Sequence, residues 1–319
     1  MTMSNLENRP ALTPCSSAAE AEAVAEVLPA RRVPLGGVRG LQVDRVLPQR
    51  ALPTVGAWCF LDRFGPESAR MRVLPHPHIG LQTVTWPLSG DIRHRDSVGS
   101  DVLVRPGQLN LMTAGRGVSH SEFSVGETPV LHGLQLWAAL PAAHARVEPA
   151  FEQHTDLPRY VEAGTVAVVL MGELAGAASR ATTHSPLLAA DVTLSVGAAT
   201  TLPLRPDFEH AVLVVDGAVT VDGTELSPGP LLYLGTGRTE LTFTASEPAR
   251  LMLLGGEPFP DDLVMWWNFV GRDHDDIAAA RADWEGRDPA RFGHVSGHGD
   301  ERIPAPELPG VRLTPRRRR

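Results

Sequence analysis

Most of the chain is written in short apolar runs cut by glycine, proline and aspartate. Between Arg31 and about Leu140, "LQTVTWPL", "DIRHRD", "DVLVRPG" and "LHGLQLWAAL" alternate or stay apolar over short stretches, the signature of strands joined by turns. Residues 141–158 form a connector. Strands resume from Val161 to Glu257 in "TVAVVLMG", "DVTLSV", "HAVLVVDG", "AVTVDG", "LLYLGTG", "LTFTA" and "ARLMLLGG". Helix punctuation comes later: "DHDDIAAARADWEG" sets acidic residues before an Ala-rich stretch and a glycine after it. Near the N-terminus "AAEAEAVAEVL" has the composition of a short helix. Residues 1–30 as a whole are nonetheless expected to be a mobile lead-in. Residues 286–319, rich in Gly, Pro and charge and ending "TPRRRR", are expected to be an extended tail.

The two strand-rich halves repeat each other's punctuation. "LSGDIRH" and "RPGQLNLMTAGRG" in the first half match "VDGAVTV" and "SPGPLLYLGTGRT" in the second. Gly90 answers to Gly217, Pro106-Gly107 to Pro228-Gly229, and Gly115-Arg116 to Gly237-Arg238. This predicts an all-β chain of two related antiparallel β-barrels in tandem, of the jelly-roll kind, with a C-terminal helix. The expected units are a first barrel over 31–145 and a second over 146–285 that carries the helix.

Composition narrows the class. The 319 residues hold no lysine, and the net charge is −8, so bulk electrostatics do not favour nucleic acid. The arginine-rich end is too short to change that. Cys15 and Cys59 lie far apart and make no disulfide framework, which fits a reducing compartment. Cys59, inside "GAWCFLD", is expected to be a buried free thiol. No signal-peptide pattern and no membrane-length apolar run is present. The expectation is a soluble, cytoplasmic monomer with no membrane partner.

The candidate chemistry lies in two spaced pairs. His76 and His78 in "HPHIG" are two apart, as are His120 and Glu122 in "SHSE". In a strand, such residues share a face ~6–7 Å apart. Two such pairs on neighbouring strands offer three imidazoles and one carboxylate, a donor set for Fe, Ni, Mn, Cu or Zn. On an octahedral ion that set leaves positions for a substrate or dioxygen, whereas a tetrahedral zinc would be filled. The repeat supplies a control. The same offsets from Gly217 and Gly229 fall on Pro203, Arg205, Thr242 and Thr244, so the second barrel is expected to lack the site. Glu122 is a ligand and the candidate base. Gln82 is expected to orient a ligand or water by hydrogen bonding. His94 is read as a surface turn histidine bonded to Asp96. Arg116 either tethers a loop or pairs with a carboxylate. Trp266 and Trp267 are packing residues. His132, His144, His154, His184, His210, His274, His294 and His298 show no ligand spacing. A Ser–His–Glu hydrolase triad in "SHSE" is rejected, because triads converge in space and not along the sequence.

The stretches "HPHIGLQTVTW", "HRDSVGS", "RPGQLNLMTAGRGVSHSE" and "LHGLQLWAALP" resemble the pirins of the cupin superfamily. The resemblance runs from about residue 35 to 285 and includes "GGEPFPDDLVMWWNFV". It implies two facing cupin barrels and one divalent metal in the N-terminal barrel, Fe(II) in the first instance. The family's ligands map to His76, His78, His120 and Glu122. It also implies one of two functions. The first is a flavonol 2,3-dioxygenase of the quercetin-cleaving type, acting on a small aromatic enol. The alternative is a non-catalytic, metal-dependent partner of a metabolic enzyme or transcription factor. Many pirins read "HPHRGFETVTY" where this chain has Ile79, Leu81, Gln82 and Trp86 in place of Arg, Phe, Glu and Tyr. Ile79, Leu81 and Gln82 are expected to decide substrate or partner.

Overall fold

The computed structural model describes residues 13–15, 23–34 and 42–315. Two seven-stranded antiparallel sheets pack against each other, and each is closed into a barrel by a four-stranded sheet. In the first barrel the large sheet runs Ala150–His154, Leu109–Thr113, Leu81–Ser89, Val130–Ala139, Trp58–Ser68, Gln42–Leu47, Arg31–Pro34. In the second it runs Ala23–Leu28, Leu231–Gly235, Glu209–Asp216, Ala249–Gly256, Leu187–Leu194, Thr165–Met171, Arg159–Glu162. The two orders correspond strand for strand. The small sheets correspond too. The first runs Arg72–His78, Val118–Ser124, Ile92–Asp96, Asp101–Val104, and the second Ala199–Pro203, Glu240–Thr244, Val219–Val221, Thr224–Leu226. The repeated turn glycines are used alike: Gly90 and Gly217 have φ of 82° and 71°, a conformation glycine adopts without strain.

Alternation decides where each face goes. On Leu81–Ser89 the residues Val84 and Trp86 join a core shared with Ala189, Ala211 and Leu213 of the second barrel. Thr83 and Thr85 point the other way, into the first barrel. The barrels touch closely at Gly56, where a Cβ would stand 2.6 Å from the Gly256 Cα. Hydrogen bonds cross the same seam. Gly56 N donates to Glu209 Oε2 at 2.6 Å, and Trp58 Nε1 to the Leu188 and Gly255 carbonyls at 3.1 Å. Cys59 is a buried free thiol, as expected.

The edges of the units differ from the sequence reading. Ala23–Leu28, expected within a lead-in and as part of a short helix, is the outermost strand of the second barrel, paired with Leu231–Gly235. The unpaired backbone of that sheet edge outweighs the helical propensity of an Ala-rich stretch. Ala150–His154, placed by sequence in the second unit, pairs with Leu109–Thr113 of the first. The predicted helix is His274–Glu285, N-capped by Asp273, whose Oδ1 accepts from Asp276 N at 2.9 Å. It buries Ile277, Ala280 and Trp284 against Ile79, Trp266, Trp267 and Phe269, on the side of the first barrel and not the second. The tail begins with a helical turn, Pro289–Phe292. It then lies along the small sheet of the first barrel, with Ile303 N donating to the Pro75 carbonyl at 2.9 Å. Thr13–Cys15, also within the expected lead-in, is a short strand paired with Leu263–Trp266; residues 1–12 and 16–22 and the four terminal arginines lie outside the described residues. Among the described residues no helix is long and apolar enough to cross a membrane.

Candidate metal centre

Register brings the two sequence pairs together. Arg72–His78 and Val118–Ser124 are antiparallel neighbours, with His76 opposite His120 and His78 opposite Val118. A bulge follows between His120 and Glu122. On its other edge Val118–Ser124 pairs with Ile92–Asp96, setting Glu122 opposite His94 and His120 opposite Asp96. All four predicted residues turn inward and are at most 1% exposed. The ligand atoms of His76, His78 and His120 lie within 4.8 Å of one another. Glu122 falls into a second group, with His94 and His120, inside the same limit. The structure thus offers two triads that share His120.

His94 is a residue the sequence reading missed. Its bond to Asp96 Oδ2 is present at 3.0 Å, but the side chain is 3% exposed and faces the barrel interior. The signal was there. "IRHRD" alternates, and Ile92, His94 and Asp96 are all buried while Arg93 and Arg95 are not.

The hydrogen bonds fix where the protons sit. His76 Nδ1 lies 2.9 Å from the Leu74 carbonyl and His78 Nδ1 3.1 Å from the Asn268 carbonyl. A carbonyl only accepts, so both rings carry their proton on Nδ1 and present a lone pair at Nε2. Asp96 Oδ1 accepts from Val98 N and Ser100 N at 3.1 and 2.8 Å, and Oδ2 takes the Nε2–H of His94. The Nδ1 of His94 is then an acceptor, and it lies 3.4 Å from the Nδ1 of His120. With its proton on Nδ1, His120 also presents a lone pair at Nε2. The Nε2 atoms of His78 and His120 face each other at 3.1 Å, close enough to share either the single ring proton of His120 or a cation. Burial disfavours a second proton on any of the three rings. It lowers the pKa of His76 to about 4 and holds His78 and His120 well below the usual histidine range, helped for both by neighbouring histidines. When His120 carries its proton on Nδ1, the two Nε2 lone pairs are opposed at this distance and repel unless a cation sits beside both. Metal–imidazole bonds of ~2.0–2.1 Å put two cis ligands about 3 Å apart, so the residues fit a divalent ion.

The floor of the site is polar and incompletely paired. Burial pushes the Glu122 carboxyl up to about 7. Thr85 Oγ1 lies 3.5 Å from Glu122 Oε1 and 3.0 Å from Gln135 Oε1. One hydroxyl proton cannot serve both acceptors; turning the Gln135 amide so that its NH₂ faces Thr85 satisfies the chain. Glu122 Oε2 and Trp137 Nε1 meet no partner, and Trp137 stands edge-on to His78 with ring centroids 5.2 Å apart. Buried polar atoms left so cost roughly 1–3 kcal/mol each, which an ion, a water or a substrate oxygen would recover.

The other candidates sort by face. Gln82 does not turn toward the histidines. Its Nε2 donates to Thr113 Oγ1 at 2.9 Å and to the Thr182 carbonyl at 3.1 Å, because it shares the outward phase of Val84 and Trp86. Trp86 Nε1 donates to Asp191 Oδ2 of the second barrel at 2.8 Å. Ile79 packs under the C-terminal helix. The departures at 79, 82 and 86 are therefore seats for neighbouring elements and not walls of the ligand cluster. Arg116 does both things expected of it, pairing with Glu148 at 3.0 Å and donating to the Ala290 carbonyl at 2.6 Å. Ser119 and Ser121 point away from the site. Ser119 Oγ donates to the Phe292 carbonyl, and Ser121 Oγ meets His298 Nε2, each at 2.8 Å.

Among the described residues the second barrel holds no such cluster, but not through the residues that simple offsets select. Thr242 pairs with Thr201, and Pro203 with Glu240. Pro203, Arg205, Thr242 and Thr244 are all exposed. The inward positions hold Leu202, Leu241 and Phe243, because a one-residue change of phase exchanges the two faces of a strand.

Two family models match the sequence, Pirin over residues 40–138 and the Pirin C-terminal cupin domain over 189–292. A Pseudomonas aeruginosa protein named as a candidate quercetin 2,3-dioxygenase is 42% identical over 312 residues, covering 96% of this chain and 98% of its own. A pirin-like protein of Caulobacter vibrioides is 40% identical, covering 81% of this chain and 92% of its own. Among solved structures, a quercetin 2,3-dioxygenase of Acinetobacter baumannii superposes with a TM-score of 0.85 at 40% identity, covering 90% of this chain and 96% of that one.

Proposed function

The chain belongs to the pirin family of two-barrel cupins, and from that premise we propose that it is a metal-dependent dioxygenase of the flavonol 2,3-cleaving type. The observation that carries the reading is the buried cluster of His76, His78 and His120, with the Nε2 atoms of His78 and His120 3.1 Å apart and the Glu122 carboxylate, its Oε2 unpartnered, grouped with His120. The substrate class comes from the names of the two similar dioxygenases.

His76, His78 and His120 would hold one divalent ion, with Glu122 completing the set. Iron(II) is the first choice, and Ni, Mn, Cu and Zn suit the same donors. When bound, the ion supplies Lewis acidity to an enol hydroxyl and a redox partner for dioxygen. The residues do the rest. Glu122 Oε2 takes the hydroxyl proton, and a carboxyl held near 7 by burial is matched to that task. Thr85 fixes the carboxylate through Oε1. The Leu74 and Asn268 carbonyls hold His76 and His78 in the tautomer that leaves Nε2 bare, and Asp96 acts on His120 through His94 in the same sense. Trp137 and the stacked Phe60 ring, with centroids 4.1 Å apart, keep water from the imidazoles.

A second reading, a metal-dependent interaction protein without turnover, is favoured by the burial of every ligand group to 1% exposure or less. One experiment separates the two. Metal-stripped, untagged protein is loaded without oxygen with Fe(II), Ni(II), Mn(II), Cu(II) or Zn(II), and oxygen uptake and carbon monoxide release are followed with quercetin. Turnover with any ion, lost in His78→Ala, supports the dioxygenase. Silence with all five withdraws it. A partner captured by wild type and not by His78→Ala would then support the second reading.

A further inference from the structure

The second barrel has a cavity where the first has its histidines. The turn over residues 204–208, between Ala199–Pro203 and Glu209–Asp216, corresponds to the turn that follows His78 in the first barrel. It walls a cavity of about 610 Å³ lined by Leu174, Leu188, Leu204, Phe208, Arg205 and His210, among others. That is the size of an ordinary small-molecule site.

His210 is the unusual member. It faces the barrel interior in phase with Val212 and Val214 and is 0% exposed. Neither ring nitrogen makes a hydrogen bond of ordinary geometry; the Phe208 carbonyl only pulls on the ring. Its berth is made by Gly255 on the next strand, where a Cβ would stand 3.0 Å from the His210 Cδ2. Buried polar side chains are nearly always satisfied. Burial lowers the pKa of the ring to about 4, against the pull of Asp207 and the Phe208 carbonyl, so the imidazole is neutral and offers one donor and one acceptor. The charge at the rim is already balanced, since Arg205 pairs with Asp207 and reaches Glu257. The remaining lining mixes apolar side chains with Glu173, Ser179 and Thr183, and Glu173 adds to the negative charge that faces Arg205. A hydroxyl both donates and accepts, so it suits either nitrogen of a neutral ring. A charged group would lack a counter-ion.

We propose that the open end of the second barrel binds a small, uncharged, largely apolar molecule that carries a hydroxyl group, a phenol in the first instance, with His210 as its hydrogen-bond partner. This site is separate from the metal centre and does not depend on it.

The test uses the intact protein with 4-methylphenol and toluene as probes, followed by calorimetry and by the ring-nitrogen NMR signals of His210. The phenol is expected to shift both ring nitrogens and to bind about tenfold more tightly than toluene, the worth of one buried hydrogen bond. His210→Phe should erase that preference, while His78→Ala should keep it. No His210 shift at saturating phenol, equal affinity for the two probes, or loss of binding in His78→Ala would each overturn the proposal. If His210→Phe does not fold, the wild-type shift and the phenol-to-toluene ratio decide alone.

Discussion

Replacing Trp86 by Phe tests whether the second barrel braces the strand that floors the metal centre. Trp86 is 1% exposed, and its Nε1 donates to Asp191 Oδ2 at 2.8 Å. Losing a hydrogen bond to a charged acceptor costs about 1.5–3 kcal/mol. Asp191 keeps Arg250, whose Nε lies 2.9 Å from Oδ1, so the carboxylate is not left alone and the lower half of that range applies. The missing ring adds a void of roughly 40 Å³, about 1 kcal/mol at ~24 cal per Å³. The sum is about 3 kcal/mol. With an unfolding entropy of ~2.1 cal/mol/K per residue, a chain of this length loses about 4 °C of Tm. The shared core predicts one calorimetric transition for both barrels. Asp191→Asn should recover part of the effect as a coupling energy in a double-mutant cycle. Metal stoichiometry should not change, because the indole faces away from the histidines. A Tm shift below about 1 °C, or zero coupling, would refute the brace.

Other consequences follow from the same contacts. An ion held by His76, His78 and His120 should raise stability by about 2.7 kcal/mol, or about 4 °C, at a hundredfold excess over Kd; thermal scans with and without chelator should show this in wild type and not in His78→Ala. His94→Ala should fold and yet lose ~10–100-fold in metal affinity by chelator competition, since it cuts the Asp96–His94–His120 chain; unchanged affinity would refute that chain. Folded His210 stays neutral down to about 4, while its unfolded counterpart takes a proton near 6.5, so the folded state binds fewer protons between those values. Stability is then whole above pH 6.5 and falls as pH drops toward 4, by on the order of 3 kcal/mol; denaturant titrations should show a flatter profile for His210→Phe. The Cys59 thiol, pushed up to about 12 by burial, should resist iodoacetamide until the protein unfolds.

The strand pattern, the repeat and the three clustered histidines were legible because each depends on local periodicity. What failed depended on phase or on distant partners. His94 looked like a turn residue until its alternation with Ile92 and Asp96 was placed beside Val118–Ser124. Gln82 sits four residues after His78, and only the even phase of Leu81–Ser89 sends it to Thr182 and not to the ion site. The strand at Ala23–Leu28 was hidden because five of its six residues are exposed. Its identity comes from a sheet edge some two hundred residues away in sequence.

Phase also explains why one fold supports two different interiors. In the first barrel "HPH" ends its strand with both histidines inward, and the bulge after His120 keeps Glu122 on the same side. In the second, Leu202, Leu241 and Phe243 fill the corresponding layer. Histidines set at Thr201 and Thr242 would therefore decorate solvent and could not rebuild the centre. What that barrel keeps is the open end itself, with one imidazole on a glycine berth and no second ligand to share an ion. Three clustered imidazoles call for a cation; a single neutral imidazole in a cavity of mixed lining calls for a hydroxyl. The chemistry at each end follows from how many nitrogens the strand phase delivers to it.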